Sequence, residues 1–148
     1  METLTQLFSN KILGVAILSW FIAQLIKLVI TLLEDKKFDM TKMWSSGGMP
    51  SSHSSFVMAL TISVGRVTGF DSPLFAACTV LSFIVMYDAA NVRLEAGKQA
   101  VVINQIIEVL ENPDLNPEQR LKELLGHTPL QVLAGGVLGF VVAILCYL

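Results

Sequence analysis

The stretch ILGVAILSWFIAQLIKLVITLL, from Ile12 to Leu33, decides what kind of fold this chain can adopt. It runs for 22 residues with a single charged side chain, Lys27. A helix of about 20 apolar residues crosses the ~30 Å hydrocarbon core of a bilayer. The stretch is too long for the apolar core of a signal peptide, and no small-residue cleavage site follows it. It therefore predicts a membrane-spanning helix.

Three further apolar stretches extend this pattern. Pro73–Ala90 and Pro129–Leu148 are comparably apolar, whereas Ser54–Phe70 is shorter and carries Arg66 near its end. Only 15% of the residues are charged, where soluble domains have about 25%. The length of 148 residues favours a single domain over residues 1–148. The sequence therefore predicts an all-α integral membrane bundle of about four transmembrane helices.

The segment Asn91–Glu111 mixes apolar and charged residues at helical spacing and is too polar to span. We expect an interfacial amphipathic helix at the membrane surface or beneath the bundle. Most of the positive charges fall on the same side of the membrane as this helix, which favours a cytoplasmic location for that side. They are Lys36, Lys37, Lys42, Arg93, Lys98, Arg120 and Lys122.

Two classes of partner are disfavoured. The net charge is -2 and no basic patch is present, which argues against a nucleic-acid partner. The two cysteines and two histidines are far apart and match no zinc spacing. The carboxylates are scattered, so no metal site is predicted.

In a bundle of four spans the two histidines lie on the same side of the membrane. His53 lies in the stretch GGMPSSHSS before the second span, and His127 lies just before the fourth. Ser51 or Ser52 can cap the second span, and Thr128, with a proline after it, can cap the fourth. Helix N-termini bind anions. This arrangement predicts an anionic substrate, most simply a phosphate.

Other side chains could complete such a site. Lys27, inside its span, could point inward to a phosphate or extend to the interface. Arg93 could bind phosphate through its guanidinium fork or anchor the interface. Asp88, five residues earlier, could orient Arg93 or a histidine, or merely end the span. Gly48, after another glycine, would let the backbone approach a ligand closely.

Together these residues could transfer a phosphoryl group without a metal. A histidine can act as nucleophile or as general acid at physiological pH. Cations and helix N–H groups can stabilise the equatorial oxygens. The sequence supplies two histidines, two cations and neighbouring hydroxyls.

The motifs resemble a known family. Pro50-Ser51-Ser52-His53 is similar to the Pro-Ser-Gly-His signature of the type 2 phosphatidic acid phosphatase superfamily, which includes vanadium haloperoxidases. The fuller pattern resembles the small divergent membrane branch of that superfamily, over nearly the whole chain. The matching blocks are Gln24-x-x-Lys27, Gly47 to Ser54, Tyr87-Asp88-Ala89 with Val92-Arg93, Ala96 to Ala100, Asn104, and Leu125-Gly126-His127-x-Pro129.

The resemblance implies a role for each matched residue. His127 would be the nucleophile that forms a phosphohistidine, and His53 the general acid that protonates the leaving alcohol. The implied phosphate-binding residues are Lys27, Ser51, Ser52 and Arg93. From their positions we add Gly48 to the phosphate site and expect Gln24, Asp88 and Gln131 to support it. The resemblance implies no cofactor, since the phosphatases of the superfamily are metal-independent and typically act on lipid phosphates or small phosphate monoesters.

Departures from the pattern leave alternatives open. The usual first motif, a lysine with Arg-Pro seven residues later, is absent, and Gln131 stands where the family has an acid. A non-catalytic protein that binds anionic lipid in a vestigial pocket is the main alternative, and transport of phosphorylated lipids is a further one. Four short spans would make a thin bundle, so a homodimer is also expected.

Overall fold

The chain forms a helical bundle. The computed structural model describes residues 2–35, 48–109 and 126–146. The elements are α1 (Glu2–Phe8), α2 (Lys11–Asp35), α3 (Ser52–Thr68), α4 (Pro73–Tyr87), a π-helical turn (Asp88–Val92), α5 (Arg93–Val109) and α6 (Pro129–Leu145). The prediction of an all-α bundle is confirmed.

Polar caps determine where the helices begin. A side-chain oxygen of each cap accepts a backbone N–H of the first helical turn, which otherwise has no partner inside the helix. The caps that begin α2, α3, α4 and α6 are Asn10, Ser51, Ser72 and Thr128. Two of these four, Ser51 and Thr128, are among the predicted caps.

Helix α3 is the centre of the bundle and packs against α2, α4 and α6. Glycines of α6 allow the closest approach. A Cβ at Gly139 would collide with the backbone carbonyl of Ser55 and lie 3.0 Å from the amide nitrogen of Ala59. Such small-residue contacts let two helix backbones touch, which is the usual packing mode of helices in lipid.

Hydroxyl pairs connect the helices inside the bundle. The Ser19 and Ser55 hydroxyl oxygens lie 2.6 Å apart, and each also lies within hydrogen-bond distance of the other residue's carbonyl. The hydroxyl oxygens of Thr61 and Ser82 lie 2.7 Å apart between α3 and α4. Because α3 is enclosed on three sides, these polar groups find partners in the protein rather than in water.

The large apolar side chains point away from the bundle, while small and polar side chains fill its interior. In the part of the chain that the structure describes, two helical stretches are long and apolar enough to cross a membrane: Lys11–Leu33, with mean hydropathy 2.1, and Pro73–Ile107, with mean hydropathy 1.7. Pro129–Leu145 is apolar but shorter. Helix α3, with 17 residues, contains the buried hydroxyls and is shielded by its neighbours.

Helix α4 ends at Tyr87, which agrees with the end of the third span that the sequence predicts near Asp88. The sequence also predicts that the amphipathic helix after this point is separate from the span. Instead, α4 continues through the π-helical turn directly into α5. The sequence between Pro73 and Gly97 contains no further glycine or proline that would interrupt a helix. Among the described elements, α5 contacts mainly the π-helical turn.

Arg66 closes the far end of the bundle. Its Nη1 atom donates to the carbonyl of Cys146 at 2.9 Å and also to the carbonyl of Ala143. The last carbonyls of a helix have no partner within the helix. Arg66 of α3 thus supplies the donor that the end of α6 needs.

Candidate active site

The two histidines lie together at one end of the bundle. His53 is in the first turn of α3, and His127 lies two residues before α6. Their ring centroids are 6.0 Å apart with an interplanar angle of 61°. Both rings therefore lie next to the N-termini of two neighbouring helices, where unpaired N–H groups favour an anion.

Backbone hydrogen bonds hold this end of the bundle in register. The Ser51 N–H donates to the Gln131 carbonyl at 3.0 Å, which ties the start of α3 to the first turn of α6. The His127 N–H donates to the Ala89 carbonyl in the π-helical turn, also at 3.0 Å. These bonds do not depend on side-chain identity, so the geometry of the two N-termini is set by the fold.

Gly135 permits this close approach. A Cβ at this position would collide with the Ser51 carbonyl and lie 3.0 Å from the Cβ of Ser54. The side chain of any other residue would push α6 away from the start of α3. The glycine therefore keeps His53 and His127 near each other.

Lys27 is enclosed at the same end. Its side chain is only 3% exposed, so it does not extend to the surface as one interpretation of the sequence suggested. Gly48 has φ of +90°, and a Cβ there would be 3.3 Å from Cγ of Lys27. Gly48 thus takes a conformation that favours glycine and lies against the lysine side chain.

His127 is almost completely buried, at 1% exposure. Its Nδ1 atom lies 3.3 Å from Oε1 of Gln131. Its Nε2 atom is buried and has no hydrogen-bond partner among the described residues. Burial lowers the pKa of His127 below its ordinary value, and the positive charges of Lys27 and His53 lower it further. The hydrogen bond with Gln131 opposes this shift, as does the backbone of Gly48.

Comparison with known proteins adds to this geometry. A family model described as the divergent PAP2 family matches residues 8–142. The chain belongs to the divergent PAP2 family. It is similar to YuiD of Bacillus subtilis (strain 168), an uncharacterized membrane protein, at 37% identity over 150 residues, which cover 94% of this chain and 95% of YuiD. No solved structure matches the chain.

The family assignment confirms the resemblance seen in the motifs, whereas the roles of individual residues stay predictions. In this divergent PAP2 protein, Ser51 is completely buried, and its hydroxyl oxygen accepts from the N–H and the hydroxyl of Ser54. Its hydroxyl oxygen therefore already serves the helix cap, and its own proton is what it could give to a phosphate. Ser52 is buried beside it.

Three further predicted residues are located by the helices that contain them. Asp88 begins the π-helical turn, and its backbone N–H donates to carbonyls at the end of α4. Arg93 begins α5, but its side chain lies outside the described residues. Gln24, which is 5% exposed, lies one turn before Lys27 on α2.

Two contributors have no role assigned from the sequence motifs, although Ser54 belongs to the matching block Gly47 to Ser54. The Ala89 carbonyl holds the His127 backbone, and it is available in a π-helical turn that no sequence signal announced. Ser54, completely buried, joins its hydroxyl to that of Ser51. Within residues 2–35, 48–109 and 126–146, no three His, Cys, Asp or Glu side chains form a group suited to a metal ion.

Proposed function

We propose that this divergent PAP2 protein is a membrane phosphatase that hydrolyses a lipid phosphate monoester without a metal, through a phosphohistidine. The observation that carries the proposal is the environment of His127. Its Nε2 atom is buried without a protein partner in the described ranges, beside a second imidazole and a buried lysine. An unpaired ring nitrogen can attack phosphorus, and the neighbouring positive groups can hold the phosphate.

The first step transfers the phosphoryl group to the protein. The Nε2 lone pair of His127 attacks phosphorus as the bond from phosphorus to the alcohol oxygen breaks. His53 gives its proton to the departing oxygen, so the alcohol leaves neutral. The ammonium of Lys27 and the N–H groups at the start of α3 offset the charge on the phosphate oxygens.

The second step releases phosphate. His53, now neutral, takes a proton from a water molecule, and the water oxygen attacks phosphorus. The bond between phosphorus and Nε2 breaks, and its electron pair returns to His127. Inorganic phosphate leaves and both histidines recover their starting states.

The same proposal includes the location: the protein crosses the membrane several times, and the site lies on the cytoplasmic side. The apolar helices α2 and α4, together with the YuiD relative's description as a membrane protein, support the membrane location. The cytoplasmic orientation rests on the positive charges of the sequence. Of those, Lys98 is exposed on α5, and most of the others lie outside the described residues.

The test is phosphate release from a panel of lipid phosphates by purified protein in detergent, after treatment with a chelator. His127→Ala should abolish turnover of every substrate, because it removes the nucleophile. His53→Ala should abolish turnover of lipid phosphates, because it removes the proton donor. With p-nitrophenyl phosphate, whose leaving group needs no proton, it should still release a burst of nitrophenol, but the missing base should then stop release of phosphate. Gly14→Ala is the matched control, because a Cβ there has open space, and it should behave like wild type.

One observation favours a second candidate, a protein that binds anionic lipid without hydrolysing it. Gln131 is neutral and cannot stabilise a charged imidazole as a carboxylate does. Under this alternative no lipid would release phosphate, and lipid would still co-purify with His127→Ala. Binding would weaken with Lys27→Ala, because the pocket would keep only its anion-holding function.

A further inference from the structure

Gln24 has no function in the chemistry described above, yet its state requires one. It is 5% exposed, and its Oε1 atom is buried with no hydrogen-bond partner among the described residues. Leaving a buried polar group unpaired costs about 1–3 kcal/mol, and the interior of a membrane span offers no bulk water to satisfy it. A leucine or methionine would avoid this cost.

The position of Gln24 relates it to the candidate active site. Residues three apart lie on the same face of a helix, so Gln24 and Lys27 share a face of α2. Lys27 lies against Gly48, and its charge lowers the pKa of His127. Gln24 is therefore a neighbour of the site, about 4.5 Å farther along the helix axis from the end of α2.

The chemistry of Oε1 limits what it can recognise. An amide oxygen only accepts hydrogen bonds, so it cannot hold an unprotonated phosphate oxygen. Its natural partner is an O–H or N–H group. Because Gln24 lies deeper in the span than Lys27, we place that group on the alcohol part of the substrate, which in the proposed complex extends from the phosphate toward Gln24.

We propose that Gln24 determines substrate specificity by accepting a hydrogen bond from a free hydroxyl, or an amine, close to the phosphate ester. The preferred substrate class is then a phosphate monoester of a polyol with a free neighbouring hydroxyl. A diacylglycerol phosphate, whose other hydroxyls are both acylated, is a poor substrate. This inference rests on the proposed phosphatase function.

A substrate pair tests the inference on the wild-type protein. The pair is 1-acyl-glycerol 3-phosphate and its analogue that lacks the hydroxyl at position 2. A site built to bind a hydroxyl discriminates against an analogue without it, because its polar group is then unpaired. We expect kcat/KM to favour the hydroxyl-bearing lipid about tenfold or more. Glycerol 3-phosphate has the same hydroxyl but no acyl chain, so its turnover shows whether the substrate is a lipid or a water-soluble phosphate ester.

Gln24→Met is the matched variant, because methionine has a similar length and no acceptor of comparable strength. It should lower kcat/KM for the hydroxyl-bearing lipid about tenfold and affect kcat/KM for the analogue much less, so that the preference disappears. Thermal unfolding should show that the variant is at least as stable as wild type. Gln24→Leu repeats the measurement if the methionine variant does not fold.

The outcomes separate this inference from the proposed function. The role of Gln24 is overturned if the wild-type protein hydrolyses both lipids equally, or if the preference survives in Gln24→Met. Either result leaves the proposed phosphatase function intact. A buried water molecule on Oε1 would give such a result. Absence of all turnover overturns the phosphatase. Equilibrium binding of the same lipid pair then decides the role of Gln24, which requires a preference that Gln24→Met abolishes.

Discussion

His127 donates from Nδ1 to Oε1 of Gln131, at 3.3 Å. The same oxygen accepts the backbone N–H of Thr128 at 3.1 Å. A backbone N–H can only donate, so this atom is the amide oxygen and not the amide nitrogen. The neutral imidazole therefore carries its proton on Nδ1, and the lone pair is on Nε2, the atom proposed to attack phosphorus.

Substitution of Gln131 tests this relationship. Gln131→Glu keeps an acceptor for both the helix cap and the histidine and adds a negative charge, so it should raise the pKa of His127. Gln131→Met removes the acceptor and should let the proton exchange between the two ring nitrogens. Nitrogen-15 NMR of labelled histidine measures both effects. The chain has two histidines, so His53→Gln assigns the signals.

The proton position is the decisive readout in that experiment. A general loss of structure would disturb many signals, whereas loss of the Gln131 acceptor alone should change the His127 ring. Unaltered His127 nitrogen shifts in Gln131→Met would show that another group holds the ring.

The pH dependence of stability follows from the buried state of His127. Its folded-state pKa is lowered from 6.5, chiefly by burial, so the unfolded chain binds this proton more readily than the folded chain. The contribution of His127 to stability is therefore complete above pH 6.5 and decreases as the pH falls toward the folded-state pKa. Thermal unfolding at pH 7.5 and pH 5.5 should show a larger loss for wild type than for His127→Gln.

His53→Gln is the control for that comparison, because it keeps the burial of His127. It also removes one positive neighbour, so its loss should be similar to that of wild type or slightly smaller. Equal losses in wild type and His127→Gln would contradict the assignment of the effect to His127.

Much of the fold follows from two signals in the sequence. Apolar length predicts α2, α4 and α6, and the cap residues Ser51 and Thr128 predict where α3 and α6 start. An even number of crossings between the two histidines places them on one face. That argument does not predict the 6.0 Å distance between the ring centroids, because the distance depends on how closely α3 and α6 pack.

The remaining features depend on three-dimensional contacts. The spacing from Gly135 to Gly139 is a small-residue pattern typical of helix contacts in lipid, and it could have predicted the pairing with α3. The π-helical turn at Asp88 could not have been predicted, because an extra residue in a helical turn leaves no signal in the composition. The hydroxyl pair of Ser19 and Ser55 joins residues 36 positions apart, and many other serines could have been chosen.

Gly139→Ala tests the close packing of α3 and α6. The new methyl group would collide with backbone atoms of α3, which cannot rotate away as a side chain can. We expect a loss of about 1–3 kcal/mol of stability, measured as a lower midpoint of thermal unfolding in detergent.

Two alanine variants make the control for Gly139. A Cβ at Gly136 would meet the mobile end of Met86 at 3.2 Å, and one at Gly14 would meet nothing within 4 Å. Gly136→Ala should therefore cost less than Gly139→Ala, and Gly14→Ala should be neutral or stabilise α2 by about 0.5–1 kcal/mol. If all three variants behave alike, helix propensity rather than backbone contact would govern the effect.

Arg66→Met should loosen the end of α6 that lies opposite the histidines. The variant removes the donor to the carbonyls of Ala143 and Cys146, and its cost should be about 1 kcal/mol, since Arg66 is exposed. Hydrogen exchange of the last turn of α6 should become faster. Arg66→Lys keeps a positive donor and should recover part of the protection.

The same variants show whether the two ends of α6 are coupled. The bonds from Ser51 to Gln131 and from His127 to Ala89 hold the first turn independently of Arg66. Exchange at the start of α6 and phosphate release should therefore be unchanged in Arg66→Met. A parallel loss at both ends would mean that α6 moves as one rigid unit, and that the geometry of the histidine pair depends on its far end.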